Sequence, residues 1–388
     1  MLPSLAPALL AALALGRAGV PGPLTVSAVN PLSIARASQT IALTREQLAP
    51  LGEQDLNRIH VIDAAGRRLI VQAVDTDYDA YHRPDVLIFQ SDFGPRERKR
   101  FTVTAGAPQR LQPSDYRAYG RFVRERFDDF AWENDLIAHR TYGSALETWK
   151  GEPLTSSAID IWSKLRPKLI IDEWYMMGDR FYHDMSDNGG DDYTAGPSRG
   201  DGGNGVWAAD RLWVSHNFVS SRELANGPIR VMFELDYAPF DAGGRRVSQV
   251  VRVTLDAGSQ LDHYQVKYRP EGAGGPLTGA VGLKKVGQEQ EQFDAANGTL
   301  AIWEAMEKNR GMQGLAAIVD PKLLVRRADD ASNHLLLVNA RTDSVMDYWA
   351  GFAWDRAGRI TSASAWQRYV ADFARGLASP IEVTVSAE

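Results

Sequence analysis

Along most of the chain, apolar side chains come in short runs that alternate with polar ones and stop at Gly, Pro or Asp. LTVSAVN, QTIALT, RIHVID, RRLIVQAVD, DVLIFQSD and KRFTVTAG follow one another in this way between residues 24 and 106. Alternation with period two puts the apolar side chains on one face of an extended chain, so each run reads as a half-buried β-strand. DAAGRR, between two of the runs, has the Asp and Gly of a tight hairpin turn. Residues 107–131 change character, and their arginines and aromatics at mixed spacing predict a connector with a short helix around Asp115 to Glu125.

The strand pattern then resumes in DLIAHRTYG, KLIIDEWYM, GVWAADRLWVSHNFVSSREL, IRVMFELDYAPF, RRVSQVVRVTLDAG, LDHYQVKYRP and GAVGLKKV, and continues through GLAAIVD, HLLLVNA and SVMDYWAGFAWD. Only SASAWQRYVADFARGLAS departs from it. There Trp366, Tyr369, Val370 and Phe373 fall at helical spacing. Many strands at short intervals with few helices predict a mainly β protein. The expected layout is a small antiparallel β-sandwich unit over residues 23–110 and a large antiparallel β-sandwich over residues 111–388. Residues 1–22 stand apart. An apolar run from Leu5 to Leu15, followed by small residues, Gly and Pro, predicts a signal peptide and a periplasmic or secreted protein. That run is too short to cross a bilayer, and no later segment is long and apolar enough to do so.

Composition narrows the chemistry. A net charge of −6 argues against nucleic acid as a partner, which usually calls for a basic balance or patch. With no cysteine, disulfides, thiolate zinc sites and cysteine nucleophiles are excluded. Gly-x-Ser-x-Gly is absent, so serine hydrolase chemistry has no support. Ten tryptophans and thirteen tyrosines supply flat faces that could stack on sugar rings as well as fill a core.

The polar residues gather in three places. In AWENDLIAHRTYG, read as one strand, Glu133, Asp135, Ile137, His139 and Thr141 share a face, and Arg140 and Tyr142 lie on the other. KLRPKLIIDEWYMMGDRFYHDM, also read as extended at its start, carries Trp174 into the third place. This is FYHDMSDNGGDDYTAGPSRGDGGNGVW, Phe181 to Trp207, with little apolar material and many glycines. It lacks the Lys-Ser/Thr ending of a phosphate loop. Asp184, Asp187, Asn188, Asp191 and Asp192 offer oxygen ligands for calcium, without the order or closing Glu of an EF-hand. A zinc site would need His183, His139 and His216 to converge in space. No cofactor is required by any of these patterns. The expected outcome is a cleft-forming loop whose glycines let backbone approach a sugar.

These motifs together, with VTLDAGSQLDHY further on, resemble the secreted bacterial family catalogued as domain of unknown function 4861. Tyr182, His183, Gly189, Asp191, Tyr193, Gly196, Gly200, Gly202 and Gly203 match its glycine-rich loop, and Asn188 stands where many relatives carry an acidic residue. The resemblance implies a supersandwich related to polysaccharide lyases and sugar mutarotases. It also implies action on uronate-containing oligosaccharides from polymers such as pectin or ulvan, by elimination as a lyase or dehydratase. Elimination next to a uronate needs a base, an acid and positive charge at the carboxylate. The candidates are His183 or His139 as base and Tyr182 or Tyr193 as acid. For the substrate they are Arg140 or Arg199 at the carboxylate, Glu133 and Asp191 as polar contacts, and Trp174 and Trp207 for stacking. A glycoside hydrolase using two of Glu133, Asp135, Asp172, Asp191 and Asp192 is the alternative enzyme. A non-catalytic glycan-binding protein is the alternative outside catalysis.

Overall fold

A computed structural model of the chain describes residues 22–76, 82–150, 154–155, 157–272, 275–340 and 345–387. The expected signal peptide lies almost wholly outside these residues. The fold is mainly β, in antiparallel sheets, as the alternation predicts.

Each of the first six runs forms a strand. Leu24–Val29, Ile59–Asp63 and Arg98–Ala105 lie in one sheet, and Arg36–Thr44, Val71–Val74 and Val86–Phe93 in a second. The two sheets enclose a core of Leu24, Val26, Ile41, Leu87, Phe89 and Val103. DAAGRR is a tight turn, with Gly66 at φ 77, but the chain leaving it crosses to the other sheet. The last strand, Glu382–Ala387, pairs with Leu24–Val29. The small sandwich therefore contains the end of the chain, which the sequence reading gave to the large unit.

The large unit is built on an eight-stranded sheet. Its strands alternate cleanly, as in Arg246–Asp256, where every second side chain is buried. Inward side chains such as Phe233, Val253, Tyr264 and Tyr348 pack against two five-stranded sheets. Against the outer face lies the expected C-terminal helix, Ala363–Ala378, with Trp366 and Val370 set on Ala316 and Ile318. Ser362 caps it by accepting from the Ala365 amide.

Three local readings are corrected. The connector helix around Asp115 to Glu125 is instead a strand, Ala118–Val123, after a short 3-10 turn. AWENDLIAHRTYG is a hairpin rather than one strand, because Asn134 Oδ1 accepts from the amides of Leu136 and Ile137 and turns the chain. KLIIDEWYM is not extended: Ile171–Met177 and Asp179–His183 are consecutive short helices. The first is started by Glu133, whose Oε1 accepts from the amides of Ile170 and Ile171 at 2.7 and 2.8 Å. A long-range cap of this kind leaves no mark in local periodicity.

Candidate active site

The hairpin Asp129–Asn134 to Ala138–Thr141 sends alternate side chains into two different environments. His139 points into the large sandwich. It is stacked on Trp132 at 5.3 Å and is 0% exposed, with Nε2 3.0 Å from Asp262 and Nδ1 4.0 Å from Asp201. Burial works against its charge, but the Asp262 and Asp201 carboxylates outweigh this and raise its pKa. Arg140 points the other way, beneath the two short helices. Its Nε donates to Asp160 at 2.8 Å and its Nη2 to Asp191 at 2.7 Å. Tyr142 donates to the same Asp160 oxygen at 2.6 Å.

His183 closes this chain of contacts at the surface. Its Nδ1 lies 3.3 Å from Asp191 Oδ2, and its side chain is 46% exposed. Asp191 is almost fully buried between His183 and Arg140. Burial pushes its carboxyl up to about 7, with Arg140 opposing. A carboxylate at one imidazole nitrogen fixes the tautomer and orients the ring. The neighbouring Asp192 turns away and holds two cations, Lys308 Nζ at 3.0 Å and Arg310 Nε at 2.9 Å. The sequence reading missed both, because they come from the distant turn between Thr299–Ala305 and Met312–Val319.

Several expected site residues are structural. Trp174 is fully buried edge-on to Trp162 and offers no face to a sugar. Glu133 is committed to the helix start and to an ion pair with buried Lys164. Arg199 is buried and donates to the Ser157 carbonyl oxygen at 2.6 Å, so it cannot meet a solvent-borne carboxylate. Arg140 is likewise sealed by Asp160 and Asp191. Tyr182 is buried, its ring 4.7 Å from that of His183, and burial raises its pKa. Tyr193 is buried with Lys284 5.1 Å over its ring, and burial raises its pKa far more. A high pKa and no access disqualify both tyrosines, and His139 for the same want of access, from direct contact with substrate in this structure. Trp207 is half-buried on the outer side of its sheet under Arg326, away from His183.

The glycines of the loop serve packing rather than a sugar. Gly189, at φ 110, and Gly200, at φ 65, press the two ends of the loop on the backbone around Asp160: a Cβ would collide with the carbonyl oxygens of Ser163 and Ile159. The acidic residues do not converge as calcium ligands, since Asp191 faces Arg140, Asp192 faces Lys308, and Asn188 donates to Glu173. Among the described residues no group of three or more His, Asp or Glu side chains is placed to hold a metal. His183, His139 and His216 sit beside three different carboxylates, Asp191, Asp262 and Glu147.

A family model described as "Domain of unknown function (DUF4861)" matches residues 28–383. Uncharacterized protein P7 of Formosa agariphila is 29% identical over 375 residues, 93% of this chain and 93% of that protein. Among solved structures, a protein in the glycosyl hydrolase family 38 from Enterococcus faecalis has a TM-score of 0.53 at 9% identity, over 94% of this chain and 47% of that one. An alpha-mannosidase from Enterococcus faecalis V583 has a TM-score of 0.46 at 9% identity, over 94% of this chain and 46% of that one. The chain thus spans about half the length of these two structures, and the first likeness concerns the fold alone.

Proposed function

The chain belongs to the family of domain of unknown function 4861, and from that premise we propose that it is a carbohydrate-active enzyme, periplasmic or secreted, that acts on uronate-containing oligosaccharides by elimination. A saccharide substrate agrees with the fold neighbour in glycosyl hydrolase family 38. The observation that carries the reading is the half-exposed His183, oriented by the buried pair of Asp191 and Arg140.

In this mechanism the His183 imidazole takes the proton from the carbon bearing the uronate carboxylate. The electron pair of that C–H bond forms the new double bond as the adjacent C–O bond breaks. The leaving oxygen takes a proton back from the imidazolium on the same face. Charge building on the carboxylate needs a cation within reach. Lys308 and Arg310, 58% and 31% exposed beyond Asp192, take the part first given to Arg140 and Arg199. Hydrolysis by paired carboxylates fits less well. Asp191 and Asp192 diverge, Glu133 is sealed, Asp135 is held by Arg117, and Asp172 is paired with Arg121 at the surface.

The test is incubation with a panel of uronate oligosaccharides, read by ultraviolet absorbance of an unsaturated product and by mass. Loss of one water from an intact oligosaccharide selects dehydratase; cleavage with an unsaturated end selects lyase. His183→Ala is expected to lower turnover by about a hundredfold or more, with an unchanged unfolding temperature, and Lys308→Ala to raise KM for acidic substrates. New reducing ends without unsaturation, binding without any product, or full activity in His183→Ala would overturn the reading.

A further inference from the structure

A groove of about 560 Å³ runs on the outer face of the eight-stranded sheet, walled by the small sandwich and the C-terminal helix. It lies on the opposite face of that sheet from the layer that carries His183. On its floor the His263 and Trp349 rings stack face to face, 4.4 Å apart with 9° between their planes. Asp347 fixes the His263 ring through Nε2 at 3.0 Å. Both rings are only half-buried, and Tyr369 and Phe373 of the helix stand beside them. The stack occupies one face of each ring, so the outer face of Trp349, which lines the groove, is the aromatic surface that suits the C–H face of a sugar ring.

The charges of the groove point to the sign of that sugar. Arg230 is paired with Asp256, Arg252 with Glu234, and Asp372 with Arg375. Arg36 is different. Its guanidinium donates only to the carbonyl oxygens of Ser379 at 2.9 Å and Gly376 at 3.3 Å. Among the described residues no carboxylate lies within ion-pair distance of it. Arg36 thus caps the C-terminal end of the helix, whose carbonyl oxygens suit a cation, and stands at the groove wall with no carboxylate partner.

We propose that this groove is a second saccharide-binding site, holding a uronate unit with its carboxylate on Arg36 and a ring face on Trp349, which the His263 ring backs. The choice of saccharide rests on the function proposed above; the anionic character rests on Arg36.

The test uses the full chain carrying His183→Ala, so that the probe is not consumed, titrated calorimetrically with a short oligogalacturonate and with its methyl ester. Arg36→Gln and Trp349→Leu, added singly, are each expected to weaken binding of the acid by about tenfold, the size of a charged hydrogen bond. The methyl ester is expected to bind the Arg36-containing chain as weakly as the acid binds Arg36→Gln. Trp349→Leu keeps the apolar packing and does not touch the contacts of Arg36 with the helix end, so it reports even if Arg36→Gln unfolds. Undiminished affinity in Trp349→Leu, equal affinity for acid and ester, or no binding at all would overturn the proposal. In chains that retain His183, turnover by the two groove variants on a disaccharide should match the unaltered protein. Turnover with unchanged binding in the groove variants defeats this site alone. Lost binding in those variants with no turnover of any saccharide defeats the elimination reading alone.

Discussion

Asp201 shows how far a single buried carboxyl can couple stability to pH. Neither of its oxygens has a hydrogen-bond partner, and it lies inside the large sandwich beside His139, Asp262 and Glu304. Burial pushes its pKa up to about 8, with His139 opposing and the two carboxylates adding to the rise. Burial also pushes Glu304 up to about 7. The unfolded value is about 3.9, so between that and about 8 the native state holds a proton the unfolded chain has released, and stability falls as pH rises. Asp201→Asn is expected to flatten this fall. Its unfolding temperature should exceed that of the unaltered protein near about pH 8 by several degrees and match it near about pH 4. Calorimetric scans across that range check it, and parallel curves for the two proteins would refute it.

Among the elements, the helix Ile171–Met177 depends on a residue far away in sequence. Glu133 caps its first amides and neutralises Lys164, which is itself buried. Removing one partner of a buried pair leaves an uncompensated charge, at a cost of about 3–5 kcal/mol. Glu133→Gln keeps the cap acceptor and loses the charge, so most of that cost should appear as a lower urea midpoint. Because this helix roofs the chamber of Arg140 and Asp191 through Trp174 and Tyr175, the variant is also expected to lose activity at His183. A urea midpoint equal to that of the unaltered protein would show that Lys164 finds another partner. The reading of this segment as a strand followed the apolar order of KLIIDEWYM, which short buried runs share between helix and strand.

For the molecule as a whole, the decisive connection is the return of Glu382–Ala387 to the first strand. It ties the C-terminal helix to the small sandwich and covers the edge of Leu24–Val29. An uncovered edge invites pairing with other chains. A chain ending at Ser379 should therefore unfold at lower temperature and form soluble aggregates, read by light scattering. A monodisperse truncated chain of unchanged stability would show that this strand is dispensable. The helix that this return ties down forms one wall of the groove at Arg36, whose contacts include the carbonyl of Ser379.

The sequence by itself determined the β class, the first six strands and the C-terminal helix. These follow from side-chain period and turn chemistry, which are local. It also singled out His183 and Asp191, because titratable side chains in a glycine-rich loop stand out without knowledge of their partners. Only the tertiary structure decided which candidates meet solvent. Burial of Trp174, Glu133, His139, Tyr193 and Arg199 depends on what other sheets and helices place over them. The same holds for Lys308 and Arg310, set beside Asp192 by a turn more than a hundred residues away in sequence. Glycine content told of close backbone approach, but what it approaches, the neighbouring strand rather than a sugar, is a property of the packed sheets.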